Sequence, residues 1–192
     1  MDRMRRMTWV AAFLIALAGW LAPPGAHAGA TAGADSARAV LYGSAPGSPG
    51  TALDGTVEWA LVEDGADGPR IEAVVTLPGE RRVEIALYRN TDASLPASHL
   101  VELAFSASTA PGVASVSGIV MKASDSARGD PLAAVSVKVA EGFFMIALAG
   151  GAADAALNLR LLGTREWIDI PLVYATGGRG VLAVEKGTGG RE

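Results

Sequence analysis

The sequence predicts a mainly β domain, an antiparallel sandwich or barrel with one late α-helix, preceded by a signal-peptide helix. Three observations carry this. Apolar and polar residues alternate with period two through the middle of the chain, which is the pattern of strands with one face in a core and one in water. The breaks between these runs hold Gly, Pro and Asp, the residues of short hairpin connections. The period changes to a helical one at a single place, near residues 152–162.

At the N-terminus, Asp2, Arg3, Arg5 and Arg6 form a short basic head, and residues 8–22 follow as an uncharged run through Trp9, Phe13, Leu14, Ile15, Leu17 and Trp20. Pro23-Pro24-Gly25 then breaks the helix, and Ala26-His27-Ala28 places small residues around a larger one. That order of basic, apolar and small-residue regions reads as a secretory signal peptide cleaved after Ala28, with Ala30 the next candidate. The alternative is a membrane anchor formed by residues 8–22. A spanning helix wants about 20 apolar residues, so this run is short, and the Pro-Pro pair stops its extension. The chain has no cysteine, which excludes a lipid tether on an N-terminal Cys. The expected location is the periplasm or the secreted fraction.

Cleavage leaves 164 of the 192 residues. A domain near 150 residues buries roughly 70% of its unfolded surface and needs no disulfide to hold it, which suits an export space that permits disulfides without requiring them. Removing three Arg and one Asp from 16 basic and 20 acidic residues leaves 13 against 19, a net charge of −6. Dispersed acidic charge argues against nucleic acid, whose phosphates demand clustered Lys and Arg, and against anionic lipid heads. One histidine remains, His99, so a multi-histidine metal site is not available.

Residues 29–37 are nearly all small or polar and read as a flexible leader. Ordered structure is expected from Arg38-Ala39-Val40-Leu41-Tyr42, followed by a Gly- and Pro-rich loop at 43–50. Four alternating strands come next: Val57, Trp59 and Leu61; Ile71, Ala73, Val75 and Leu77; Val83, Ile85 and Leu87; Val101, Leu103 and Phe105. Residues 116–121 read as a further strand and 125–132 as a loop. Val135, Val137 and Val139 alternate again, and 143–148 completes a hairpin with them. Ala153, Ala156, Leu157, Arg160 and Leu161 stand at helical spacing, with Gly163 as the expected cap. Strands at 167–174 and 181–185 and a polar tail at 187–192 close the chain, giving one domain over 38–186. No internal repeat is visible.

Several residues carry candidate chemistry. Ser98-His99 suggests a hydrolase, yet adjacent strand residues point to opposite faces, and the chain lacks the G-x-S-x-G elbow. Glu63, Asp64 and Asp67 with Gly65 and Gly68 stop far short of the oxygen set a calcium loop needs and fit a solvated turn. Gly177-Gly178-Arg179-Gly180 lacks the Lys-Ser/Thr of a phosphate loop. No cofactor and no metal are therefore expected. Trp167, Asp169 and Tyr174 are the candidate binding residues. In a strand at 167–174, Trp167, Asp169, Pro171 and Val173 share one face, and Pro171, which cannot donate to a ladder, places the strand at an edge or at a bulge. An edge can accept a partner strand; the competing reading is a core Trp and a Pro that blocks edge aggregation. Trp59, Phe105 and Phe143 are candidates for lining a small-ligand pocket between sheets.

Arg38-Ala39-Val40-Leu41-Tyr42, Arg89-Asn90-Thr91-Asp92, Leu95-Pro96-Ala97-Ser98-His99, Gly118-Ile119-Val120-Met121-Lys122, Pro131-Leu132-Ala133, Phe143-Phe144, Arg165-Glu166-Trp167-Ile168-Asp169-Ile170-Pro171-Leu172-Val173-Tyr174 and Ala183-Val184-Glu185-Lys186-Gly187-Thr188 span nearly the whole domain. In these segments the chain resembles an uncharacterised family of exported alphaproteobacterial proteins, a resemblance that implies export and supplies no catalytic residues. The order of strands, late helix and closing strands is faintly similar to exported invasion-associated B-type proteins, which usually carry the cysteines this chain lacks. The expected function is binding of an envelope protein or peptide, or a structural role in the envelope, rather than catalysis. The alternatives are a hydrolase using His99 and a small-ligand-binding β-sandwich.

Overall fold

The computed structural model describes residues 36–44, 50–63, 68–107 and 112–187. The chain divides into two units, Met1–Ala32 and Gly33–Glu192, and every described residue belongs to the second. The leader with Ala26 and Ala28, the 8–22 segment and the centre of the acidic loop at 64–67 lie outside the described residues.

Twelve strands form one antiparallel sheet: β1 (Ala37–Ser44), β2 (Thr51–Val62), β3 (Arg70–Leu77), β4 (Arg81–Arg89), β5 (Ala97–Phe105), β6 (Val113–Val116), β7 (Val120–Lys122), β8 (Asp130–Pro131), β9 (Ala134–Ala140), β10 (Phe143–Ala149), β11 (Trp167–Tyr174) and β12 (Arg179–Glu185). One helix, α1 (Ala152–Thr164), joins β10 to β11. The spatial order is β8-β7-β11-β12-β1-β2-β3-β4-β5-β10-β9, with β6 pairing β11 beside β7. Of the two expected architectures the structure is the barrel-like one, a single sheet curled into a half-barrel. Strands twist with a fixed hand, and a long sheet relieves that twist by coiling on itself. The curl brings strands near opposite ends of the order into one core: Met121 of β7 and Phe144, Ile146 and Leu148 of β10 belong to the same buried cluster. Lys138 of β9 also donates to the Val113 carbonyl of β6 at 3.4 Å.

The alternation read from sequence places the core. Val57, Val75, Val83, Ile85, Leu103 and Leu182 all face inward and are almost fully buried. Phe105 meets Phe144 edge-on, with ring centroids 5.8 Å apart, the offset geometry aromatic pairs prefer. Registers run straight across, with Val57 opposite Val75, Val75 opposite Val83, and Ile85 opposite Leu103. Two neighbouring rows of the inner face are therefore fixed together, because a slip of one residue would turn each strand's apolar set to water.

Five local readings change. Ala37, expected in the flexible leader, is buried and begins β1. The strand expected at 116–121 is two short ones, β6 and β7, broken where Gly118 takes φ 131°, a conformation open in practice to glycine. Within the loop expected at 125–132, Asp130 and Pro131 pair with β7. The helix runs past Gly163, its expected cap, to Thr164. There the Thr164 hydroxyl bonds the Arg160 carbonyl at 2.7 Å and the Arg165 N–H bonds that of Leu161 at 3.0 Å. Finally, β11 is not an edge strand: β12 flanks one side, and β6 and β7 share the other. Pro171 falls in the gap between those two short partners, a position where the missing N–H costs no ladder bond.

Candidate functional site

On the outer face of β7, β11, β12 and β1, register sets Lys122 opposite Trp167, Trp167 opposite Glu185, and Ala183 opposite both Asp169 and Val40. This face is the convex side of the sheet, yet Trp167 is 8% exposed, Ala183 1% and Val40 0%. The 123–129 segment after β7 approaches it through Asp125. The Asp125 carboxylate accepts from the Tyr42 hydroxyl at 3.3 Å and lies 3.7 Å from the Arg38 guanidinium and 3.8 Å from the Lys122 ammonium. Lys122 also donates to the Asp125 main-chain carbonyl and lies 3.2 Å from Asp169. Arg38 reaches Asp54 at 2.8 Å, and its N–H bonds the Glu185 carboxylate at 3.0 Å.

Two members of this cluster are withdrawn from water, with side-chain exposures of 12% for Lys122 and 18% for Asp169. Burial pushes the Asp169 carboxyl above the ordinary carboxylate value, and the Lys122 hydrogen bond and charge only partly offset it. One of its oxygens, Oδ1, is buried without a hydrogen-bond partner. A carboxylate with a raised folded value binds its proton more tightly when folded, so stability falls as pH rises through that window. Holding such a group ionised at neutral pH works against the fold, which marks the place as one where stability is not the sole constraint. Beside the cluster, Tyr42, Thr51, Ala52, Arg179 and Val181 line a shallow depression of about 420 Å³.

Of the three candidate binding residues, Trp167 and Asp169 stand together on this outer face. Tyr174 is on the opposite, inner face, where it is buried with its hydroxyl beside Gly180 and Gly43. The partners that give Asp169 its setting are Lys122, Asp125, Arg38 and Tyr42. They come from distant segments, and sequence reading did not assemble them.

His99 lies at the end of the inner face of β5, opposite Arg89 and Leu148. Its Nδ1 is buried without a partner, while the Ser98 hydroxyl is directed to the Leu148 carbonyl at 3.5 Å. Burial first, then the Arg89 charge, lowers the imidazole below its ordinary value. The unfolded chain therefore holds more protons than the folded one between that lowered value and about 6.5, and stability is lost as pH falls through this window. Urea titrations at pH 5 and pH 7 check this: His99→Gln is expected to reduce the loss of stability on acidification. An unchanged pH difference would refute the assignment.

The proposed aromatic lining divides between the faces. Trp59 packs against the core and donates its indole N–H to the Glu185 carbonyl at 2.9 Å, and Phe105 lies on the same inner side. Phe143, opposite Ala104, points outward. These three rings do not share one pocket, and the single sheet leaves no space between sheets for them to line. Among the described residues, no group of three or more His, Asp or Glu side chains is placed to hold a metal ion. No described helix is long and apolar enough to cross a membrane. No protein family, curated protein or solved structure matches this chain.

Proposed function

We propose that this chain is an exported β-rich module that binds an extended segment of an envelope protein or peptide. The observation that carries the reading is the inequality of the two ends of the sheet. At one end β8 has two residues, one of them Pro131. Shortness and proline are the usual protections against unwanted strand pairing. At the other end β9 has seven residues and, among the described residues, one hydrogen-bonded neighbour strand, β10. Its outward side chains Val135 and Val137 are 66% and 46% exposed. Lys138 ties the far part of β9 to β6, so the accessible backbone is that of residues 134–137. Strand addition at such an edge takes its affinity from main-chain hydrogen bonds and its specificity from alternate side chains. The leader of basic, apolar and small residues supports the compartment. The edge expected at 167–174 is thereby replaced by one at 134–137.

The test is hydrogen exchange with and without periplasmic extract, together with affinity capture by the full chain and by a Val135→Lys, Val137→Lys variant. Both valines are exposed, so the variant is expected to fold. The expected outcome is a captured protein lost in the variant and slowed exchange at 134–137 in the wild type. Equal capture by both proteins would defeat the reading. Protection that appears with the purified chain alone, and that rises with its concentration, would instead assign the edge to self-association.

A further inference from the structure

Lys122 and Asp169 present a pairing that a simple ion pair does not require. The amine and the carboxyl sit on neighbouring strands, β7 and β11, 3.2 Å apart. A second carboxylate, Asp125, stands 3.8 Å from the same amine. Trp167, Val40 and Ala183, all but dry, surround the pair's strands on that face. The outer members of the cluster, Arg38, Asp54 and Tyr42, hold Asp125 or one another, and among the described residues Lys122 is the cation that pairs with Asp169.

We propose that Lys122 and Asp169 join in an intramolecular isopeptide bond, with Asp125 as the proton carrier. In a site withdrawn from water, an ammonium and a carboxylate lose the solvation that keeps them charged, and a proton passes from one to the other across their hydrogen bond. The result is a neutral amine beside a neutral carboxylic acid. The Nζ lone pair attacks Cγ of Asp169, which lies one bond from the contacting oxygen; productive attack separations are about 3–3.5 Å. A C–N bond forms and a tetrahedral carbon results. Asp125 accepts a proton from the nitrogen and returns it to one hydroxyl of that carbon. The C–O bond breaks, one water leaves, and an amide remains. No oxidant, reductant or cofactor enters the balance.

The position suits a crosslink. β7 is three residues long and pairs with β11 over three registers, so few main-chain bonds hold this margin of the sheet. The bond would close a covalent loop from 122 to 169 that includes β8, β9, β10 and α1. Closing a loop of this length removes conformational freedom from the unfolded chain, as a disulfide does, in a chain that has no cysteine. Nζ contacts Oδ2 while Oδ1 is buried without a partner, and an amide at this carbon leaves one oxygen to be satisfied in place of two.

Denaturing mass spectrometry of the purified full chain tests this. The expected mass is one water, about 18 Da, below that of the sequence between its observed termini. The deficit is expected to vanish in Lys122→Arg and in Asp169→Ala, and the linked fraction to fall at least tenfold in Asp125→Asn. Wild-type protein at its full sequence mass overturns the proposal. So does a deficit that persists in Lys122→Arg, because it would report ring closure of an aspartate on its own backbone. If either variant fails to fold, a digest of the wild type decides the matter. A branched peptide joining residues 122 and 169 upholds the bond, and separate unlinked peptides refute it.

Discussion

Replacing Gly55 with alanine is expected to destabilise the domain by about 3 kcal/mol or more, lowering the thermal midpoint by roughly 6–12 °C for a chain of this size. A Cβ at this position would stand 2.3 Å from the Thr76 carbonyl oxygen and 2.8 Å from the Leu77 side chain. The first contact is with backbone, which cannot swing aside. The approach has a structural cause. The first part of β2 pairs with β1 and its second part with β3, and the two ladders overlap only at Thr56 and Val57. Gly55 lies where the strand passes from one neighbour to the other, and glycine in a strand interior marks such a bend. The same substitution at Gly163 supplies the contrast. That residue lies within α1, where an added Cβ meets nothing within 4 Å, so Gly163→Ala is expected to stabilise by about 0.4–1 kcal/mol through the unfolded chain and helix propensity. Differential scanning of the two variants should give midpoint shifts of opposite sign. A Gly55→Ala midpoint within about 2 °C of wild type would show that the corner does not depend on the close approach.

Alternation made most of the inner face legible in the sequence. It could not reveal the corner at Gly55, because a bend within one strand leaves no mark in a period of two. The break at Gly118 has a visible signal, a glycine inside an apolar run, though glycine alone does not say whether a strand bulges or stops. Pro171 was informative and ambiguous for a related reason. A missing N–H demands an unpaired position, and an edge and a gap between two short partners supply it equally well. For the candidate site, parity already separates Trp167 and Asp169 from Tyr174, since odd and even residues of a strand face opposite ways. What parity lacks is the other side of the contact. Lys122, Asp125, Arg38 and Tyr42 reach Asp169's surroundings through the sheet order and through the 123–129 segment, and a single sequence carries no record of either. Strand existence is a local property; which strand lies beside which is not.

The helix shows the same limit and yields the second large effect. The spacing of Ala153, Ala156, Leu157, Arg160 and Leu161 marks the helix without naming its buried side: Leu157 is exposed, and Asn158 is the buried neighbour of Leu161. An asparagine facing inward is worth its desolvation only if its amide is satisfied. Here it makes two bonds to one residue: the Ala133 N–H donates to Oδ1 at 2.9 Å, and Nδ2 donates to the Ala133 carbonyl at 2.9 Å. Asn158 thus completes the hydrogen bonding of Ala133, which lies between β8 and β9 where the chain crosses from one end of the sheet order to the other. Asn158→Ala would remove both bonds and leave the Ala133 N–H without this acceptor, while its carbonyl keeps the Ala149 N–H at 2.8 Å. The expected cost is about 2–4 kcal/mol. Asn158→Asp separates the two bonds, since a carboxylate can still accept from the Ala133 N–H but offers the carbonyl no donor, and its burial as a charge adds a penalty that acid should relieve. Asn158→Asp is therefore expected to be less stable than wild type at pH 7 and to recover part of that loss at pH 4, where protonation restores a donor. Chemical denaturation at the two pH values, with wild type alongside to subtract the response of the other groups, checks this. If Asn158→Asp keeps wild-type stability at pH 7, the amide's bonds to Ala133 are not what holds the crossing from β8 to β9.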